Sequence, residues 1–208
     1  MGKMDEQILV APRESVFQSE TLTFQGLTGE KTTTDAIMKQ IKETYKEMRR
    51  GDAEEDASFK QPIPYVVIRR GDEFFAYERL AGGGESRLHN KLSLGFGGHM
   101  NHIEADSFDD VLRINTDREL DEELELAEED KVSIETIGLI NDDESEVGRV
   151  HIGILSVLDV KDTAQVSVKE TDQIAGHWMK LEQLANQEQY DRMETWSQFV
   201  VDLLNQSN

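Results

Sequence analysis

The sequence predicts an α/β layered domain preceded by an N-terminal α/β extension. Two observations carry that reading. Strand-like runs lie on either side of one long amphipathic helix, and a second amphipathic helix follows, which is the element order of a sheet covered by helices. The first 60 residues follow another pattern, with one short strand, one helix and then an acidic stretch. At 208 residues, 37% of them hydrophobic and spread along the chain, a real core is expected and a largely disordered chain is not.

Each element has its own signal. Residues 7–12 read as a short strand. Thr32, Thr33, Thr34 and Asp35 offer caps for a helix over 36–50, where Ile37, Ile41, Tyr45 and Met48 share one face. Gly51-Asp52 stops it, and Glu54-Glu55-Asp56 reads as a solvated linker. Residues 65–70 and 73–79 are β-rich around Gly71-Asp72, a hairpin signal. Three consecutive glycines predict a loop over 81–85. Residues 91–99 read as a strand running into a tight glycine turn. Ser107 caps a helix over 108–126, with Val111, Leu112, Leu120 and Leu124 as its buried stripe. Strands are expected at 132–140 and 150–160, joined by an acidic connection. A segment opening at Trp178 and a helix over 196–204 complete the domain.

Composition excludes several functions. The 43 acidic and 22 basic residues give a formal charge of −21, which argues against a broad basic face for DNA or RNA. Small anionic substrates stay open, because a bound metal inverts the local field. There is no Cys, so disulfides, thiolate metal sites and Cys nucleophiles are ruled out. The start lacks the apolar core of a signal peptide, and no run approaches the ~18 apolar residues of a membrane helix. A cytoplasmic protein without membrane partners is the expectation.

The richest chemistry lies in Arg118-Glu119-Leu120-Asp121-Glu122-Glu123-Leu124. On a helix, Glu119, Glu122 and Glu123 share a face at i, i+3 and i+4, with Cβ atoms ~5–6 Å apart. Carboxylates that close repel unless a cation stands among them, and Mg²⁺ is a natural partner for oxygen ligands. Arg118 can neutralise or orient one member, while Leu120 and Leu124 turn the opposite face inward. A solvated acidic face is the competing reading. The glycine turn Gly97-Gly98-His99 upstream favours the site.

These residues resemble the signature of the Nudix hydrolase superfamily, Gly-x5-Glu-x7-Arg-Glu-φ-x-Glu-Glu-x-Gly-φ with φ apolar. Gly98 stands at its leading glycine, and Arg118, Glu119, Leu120, Glu122, Glu123 and Leu126 at its helical part. The resemblance covers residues 62–208, and the surrounding phrases resemble a bacterial branch described as predicted Nudix-family phosphoesterases. The chain departs from the pattern in three places. The stretch from Gly98 to Arg118 is longer, Asp110 replaces the first Glu, and Glu125 replaces the second Gly. These bear on loop geometry and substrate more than on the carboxylate cluster.

The resemblance implies a Nudix-like α/β/α sandwich with a mixed β-sheet over 62–208, with residues 1–61 as an extension. It makes Glu122 and Glu123 metal ligands, Glu119 a ligand or the base, and Arg118 a residue that orients the carboxylates. The carbonyl near Gly98 is a further ligand, and Glu170, with Asp172 in reserve, a loop base. Arg79 is the first choice for a phosphate contact; His99 and His151 are candidates to line the pocket. The implied activity is Mg²⁺- or Mn²⁺-dependent cleavage of the pyrophosphate linkage in a nucleoside diphosphate derivative or a similar organic pyrophosphate. The metal supplies the attraction that a chain of charge −21 lacks. Two alternatives stand beside it: a nucleotide-sensing module without turnover, and an isomerase of the isopentenyl-diphosphate type, which the missing Cys disfavours. Residues 1–60 either pack on the catalytic part or support a homodimer.

Overall fold

The computed structural model of the chain describes residues 2–80, 91–169, 171 and 174–206. In chain order the elements are β1 (Gln7–Pro12), α1 (Arg13–Val16), β2 (Gly26–Thr28), α2 (Lys31–Thr44), β3 (Lys46–Arg49), α3 (Arg50–Ala53), β4 (Phe59–Arg70) and β5 (Glu73–Arg79). Then come β6 (Leu92–Ser93), β7 (Gly95–Phe96), α4 (Phe108–Glu123), β8 (Leu124–Glu125), β9 (Lys131–Asn141) and β10 (His151–Val160). The last are β11 (Ser167–Val168), β12 (Ile174–Lys180), α5 (Leu181–Leu184), α6 (Gln187–Asp191) and α7 (Thr195–Gln206). This is the expected mixed α/β fold, with a large mixed sheet whose central strand order is β12-β5-β4-β10-β9-β2. Among the described residues, no helix is long and apolar enough to cross a membrane. The loop expected at 81–85 lies outside the described residues.

Contacts divide the chain into two compact units. The first gathers Met1–Tyr65, Gly97–Asp117 and Ile137–Leu155. Its core joins Leu9, Ala11, Val16, Phe17, Ile37 and Ile41 to Met100, Phe108, Val111, Leu139, Ile152 and Ile154. The helix expected over 36–50 runs instead from Lys31 to Thr44. The Glu30 carboxylate accepts from the backbone N–H groups of Thr32 and Thr33 at 3.0 and 2.6 Å, so the cap precedes the threonines. Past Tyr45 the chain turns extended, and Lys46–Arg49 pairs antiparallel with Gln7–Val10. These are helix-forming residues by propensity, overridden by the exposed ladder of a buried strand. Met48 therefore joins Ile8, Val10 and Ala53 rather than the helix stripe.

Three consecutive residues, Gln18, Ser19 and Glu20, hold positive φ of 47°, 54° and 68°. The turn brings Glu20 onto Arg13 at 2.9 Å, and Arg13 clasps Asp143 at 2.7 and 2.8 Å. Lys60, fully buried, adds its ammonium to Asp143 at 2.9 Å. Burial alone would raise the Asp143 carboxyl, but hydrogen bonds from Arg13, Lys60 and Asn141 outweigh it and hold the group below the usual carboxylate range. The same burial pushes the Lys60 ammonium below its ordinary value, against the pull of Asp143.

The second unit comprises Val66–Phe96, Arg118–Thr136 and Ser156–Asn208. The expected hairpin is present: Arg69 pairs with Phe74 and Arg70 with Glu73 around Gly71, which sits at φ 58°. Strand β12 pairs antiparallel with β5 along its length, placing Trp178 opposite Phe75. Phe75 packs against Trp178 and Phe96 at centroid distances of 5.1 and 6.0 Å. The core adds Val66, Ile68, Tyr77, Leu120, Leu124, Leu158 and Val160. The helix expected to reach 126 stops at Glu123, because Leu124–Glu125 pairs with Ser167–Val168.

Candidate carboxylate face and histidine cluster

In the second unit, the last turn of α4 presents the predicted acids. Leu120 and Leu124 are buried and anchor that turn. Glu119 is nearly buried, at 9% exposure, so its charge depends on a partner. Arg118 supplies it: its guanidinium lies 2.7 Å from Glu119 Oε1 and 3.1 Å from Glu122 Oε1. One cation thus bridges two of the three carboxylates, at i+1 and i+4 from Arg118. Glu123 is half-buried, and its carbonyl accepts the backbone N–H of Lys169 at 2.9 Å. The Lys169 ammonium also donates to the carbonyl of Asp121. These bonds pin the helix end from which the acids project.

Arg79 lies in the same unit. Burial acts to lower its guanidinium, but Tyr77, Glu194 and Glu123 together hold it above its ordinary value. It pairs with Glu194 at 3.3 Å and lies over the Tyr77 ring, 5.6 Å from its centroid. The Tyr77 hydroxyl, buried and donating to the Gly95 carbonyl at 3.2 Å, is raised well above its usual range, first by burial and then by the charges of Glu194 and Glu123. Arg79 and Glu123 therefore share one electrostatic neighbourhood. Glu170 and Asp172 lie outside the described residues.

Gly98 and His99 belong to the first unit. The constrained glycine of their turn is Gly97: at φ 150°, a Cβ there would stand 1.8 Å from the Pro64 carbonyl oxygen. The following residues are tied down on two sides. The Asn115 amide brackets Asn101, accepting from its N–H at 2.9 Å and donating to its carbonyl at 3.0 Å. The Met100 carbonyl accepts from Leu9 at 2.8 Å. Between these anchors, His99 meets His151 and Glu54. The two Nε2 atoms are 3.2 Å apart, and Glu54 Oε1 lies 3.3 Å from His99 Nε2 and 4.0 Å from His151 Nε2.

Glu54 is the residue that sequence reasoning missed. It was expected in a solvated linker; instead it forms the C-cap of α3, half-buried against both histidines. Nothing periodic links it to His99 and His151, so only the folded chain brings them together. The buried His151 ring is pushed down to about 4 by burial, and its Nδ1 meets the Val147 carbonyl at 2.6 Å. The Glu54 carboxyl is held below its usual value by the hydrogen bond from His99, against burial.

Comparisons place this architecture among known proteins. No protein-family model matches the chain. Protein YmaB of Bacillus subtilis (strain 168) is 69% identical over 205 residues, covering 98% of this chain and all of that protein. The crystal structure of Tm1382, a candidate Nudix hydrolase, superposes with a TM-score of 0.80 at 30% identity, over 98% of this chain and all of that one. A bifunctional NMN adenylyltransferase/ADP-ribose pyrophosphatase from Francisella tularensis aligns with 71% of this chain and 41% of its own, at 16% identity and a TM-score of 0.49. Full-length agreement with Tm1382, together with the Arg118–Glu123 signature on its helix, shows that the chain belongs to the Nudix hydrolase superfamily, enzymes of the pyrophosphohydrolase class.

Proposed function

We propose that the protein is a divalent-metal-dependent hydrolase that cleaves the pyrophosphate linkage of a nucleoside diphosphate derivative or a similar organic pyrophosphate. The observation that carries this is the Arg118 bridge between Glu119 and Glu122, which holds a packed carboxylate face together with positive charge. An all-oxygen donor set of this kind suits Mg²⁺ or Mn²⁺. Glu119, Glu122 and Glu123 would hold the ion. Bound there, it supplies charge neutralisation for the diphosphate and a more acidic water.

The side chains divide the remaining work. Arg118 keeps Glu119 and Glu122 oriented. Arg79, a permanent cation beside Glu123, offers charge and a planar donor fork to a phosphate oxygen. Glu170 is assigned the water proton, leaving the helix carboxylates to ligation.

The test is a screen of nucleoside diphosphate derivatives with Mg²⁺ or Mn²⁺, read by phosphatase-coupled phosphate release. Turnover of at least one derivative, lost in a folded Glu123→Gln variant together with metal affinity by calorimetry, is the expected result. Glu170→Gln should lower kcat by ~10²–10⁴ with metal affinity unchanged. If that loss appears in Glu119→Gln with metal still bound, and not in Glu170→Gln, the base is Glu119. Unchanged metal affinity in Glu123→Gln would remove the ligand assignment. Metal binding without any turnover would favour the sensing module instead.

A further inference from the structure

The first unit carries a cluster to which the hydrolase reading proposed above gives no role. We propose that Glu54, His99 and His151 form a site for one borderline transition-metal dication, of the Zn²⁺ class. The inference is independent of the carboxylate face and of the hydrolase reading.

The ligand atoms converge. In a four- to six-coordinate centre with bonds of ~2.0–2.2 Å, neighbouring donors stand about 3–3.5 Å apart. His99 Nε2 lies 3.2 Å from His151 Nε2 and 3.3 Å from Glu54 Oε1, inside that window, and the third edge is 4.0 Å. One small side-chain adjustment closes the triangle.

The protonation pattern also favours an ion. His151 Nδ1 donates to the Val147 carbonyl at 2.6 Å, so the neutral ring carries its lone pair on Nε2, aimed into the cluster. That is how a ligand histidine is oriented by its outer partner. His99 Nε2 then faces two acceptors, the His151 lone pair and the Glu54 oxygen, with one proton for both. A cation satisfies all three donors at once. Arg50 meets Glu54 as an ion pair, its Nε 3.6 Å from Oε1, without a hydrogen bond.

The scaffold is rigid around each ligand. Gly97 and the Asn101–Asn115 bracket hold the backbone on both sides of His99. The turn before His151 is equally fixed. A Cβ on Gly148 would stand 2.3 Å from the Asp142 carbonyl, and the Gly148 carbonyl accepts from buried Lys60 at 3.2 Å. Preorganised donors are what a metal site requires.

Donor chemistry sets the class of ion. Two imidazoles and one carboxylate suit Zn²⁺, Co²⁺ or Fe²⁺ rather than Mg²⁺, which keeps to oxygen. Three protein ligands leave positions open to water. The ion would also clamp Glu54, from the N-terminal segment, to the turn after β7 and the first residue of β10.

The experiment uses the full-length protein, stripped with chelator and titrated with Co²⁺, then Zn²⁺ in competition. One equivalent of Co²⁺ should give visible ligand-field bands that Zn²⁺ displaces. Glu54→Gln and His99→Gln should weaken binding by at least ~10², beyond the 10–100-fold of an outer-partner loss. Glu122→Gln should leave the bands intact. Should a variant fail to fold, imidazole ¹⁵N spectra of the wild type decide: Zn²⁺ must shift Nε2 of His99 and His151. Bands unchanged in folded Glu54→Gln and His99→Gln, or Nε2 resonances that do not move, would overturn the site. Bands lost in Glu122→Gln alone would assign the ion to the carboxylate face and overturn it equally.

Discussion

Asp143 shows how one residue concentrates the electrostatics of the first unit. It receives Arg13, Lys60 and Asn141, and Lys60 has no exposure to water. Removing the carboxylate strands a buried cation. Asp143→Asn should therefore destabilise the protein by roughly 3 kcal/mol, the low end for breaking a buried pair, because Asp143 keeps some exposure. Acid should act through the same group. Its carboxyl sits below the ordinary value when folded, so the unfolded chain binds that proton more readily. The stabilisation is present above the unfolded value of ~3.9 and drains as pH falls toward the folded one. Denaturant midpoints measured from pH 5 downward should fall more steeply in the wild type than in Asp143→Asn; parallel slopes would contradict this account.

At the scale of elements, the glycine turn after β7 is the clearest single point of constraint. Gly97 combines φ 150° with a Pro64 carbonyl where a Cβ would go. The obstacle is backbone, which cannot swing aside. Gly97→Ala should cost at least ~2–3 kcal/mol, read as a lower denaturant midpoint, whereas a change within 0.5 kcal/mol would show that the turn yields. Such constraint was only partly legible in the sequence. The Gly-Gly-His turn stood out, yet the family resemblance put its weight on Gly98. The carboxylate face was legible because its members repeat at helical spacing, so local geometry alone brings them together. Ser107 was legible for the same reason: its hydroxyl accepts from the Asp110 N–H at 3.2 Å. Strand β3 was not, since Lys46-Glu47-Met48-Arg49 reads as helix until β1 offers it a ladder. Nor was Glu54, whose meaning comes from two histidines distant in sequence.

Over the whole molecule, the N-terminal segment and the rest of the first unit share a core. Six of the twelve buried residues in its main cluster come from the first 61 positions. We propose that this segment serves packing and takes no part in the diphosphate chemistry, and a chain of residues 62–208 should leave Phe108, Val111, Ile152 and Ile154 without cover. Amide exchange over residues 137–155 should lose protection in that fragment, and the fragment should aggregate on heating. Full protection and an unchanged melting temperature would show that the segment is dispensable. The turn at Gln18–Glu20 has a different consequence. Left-handed conformation costs about 1–2 kcal/mol for each residue with a side chain. Three such residues in a row mean that the chain surrenders part of its thermal margin so that Glu20 can reach Arg13. The turn is thus a reserve for engineering: glycine at Ser19, whose side chain takes no part in that ion pair, would return some of the margin without touching either site.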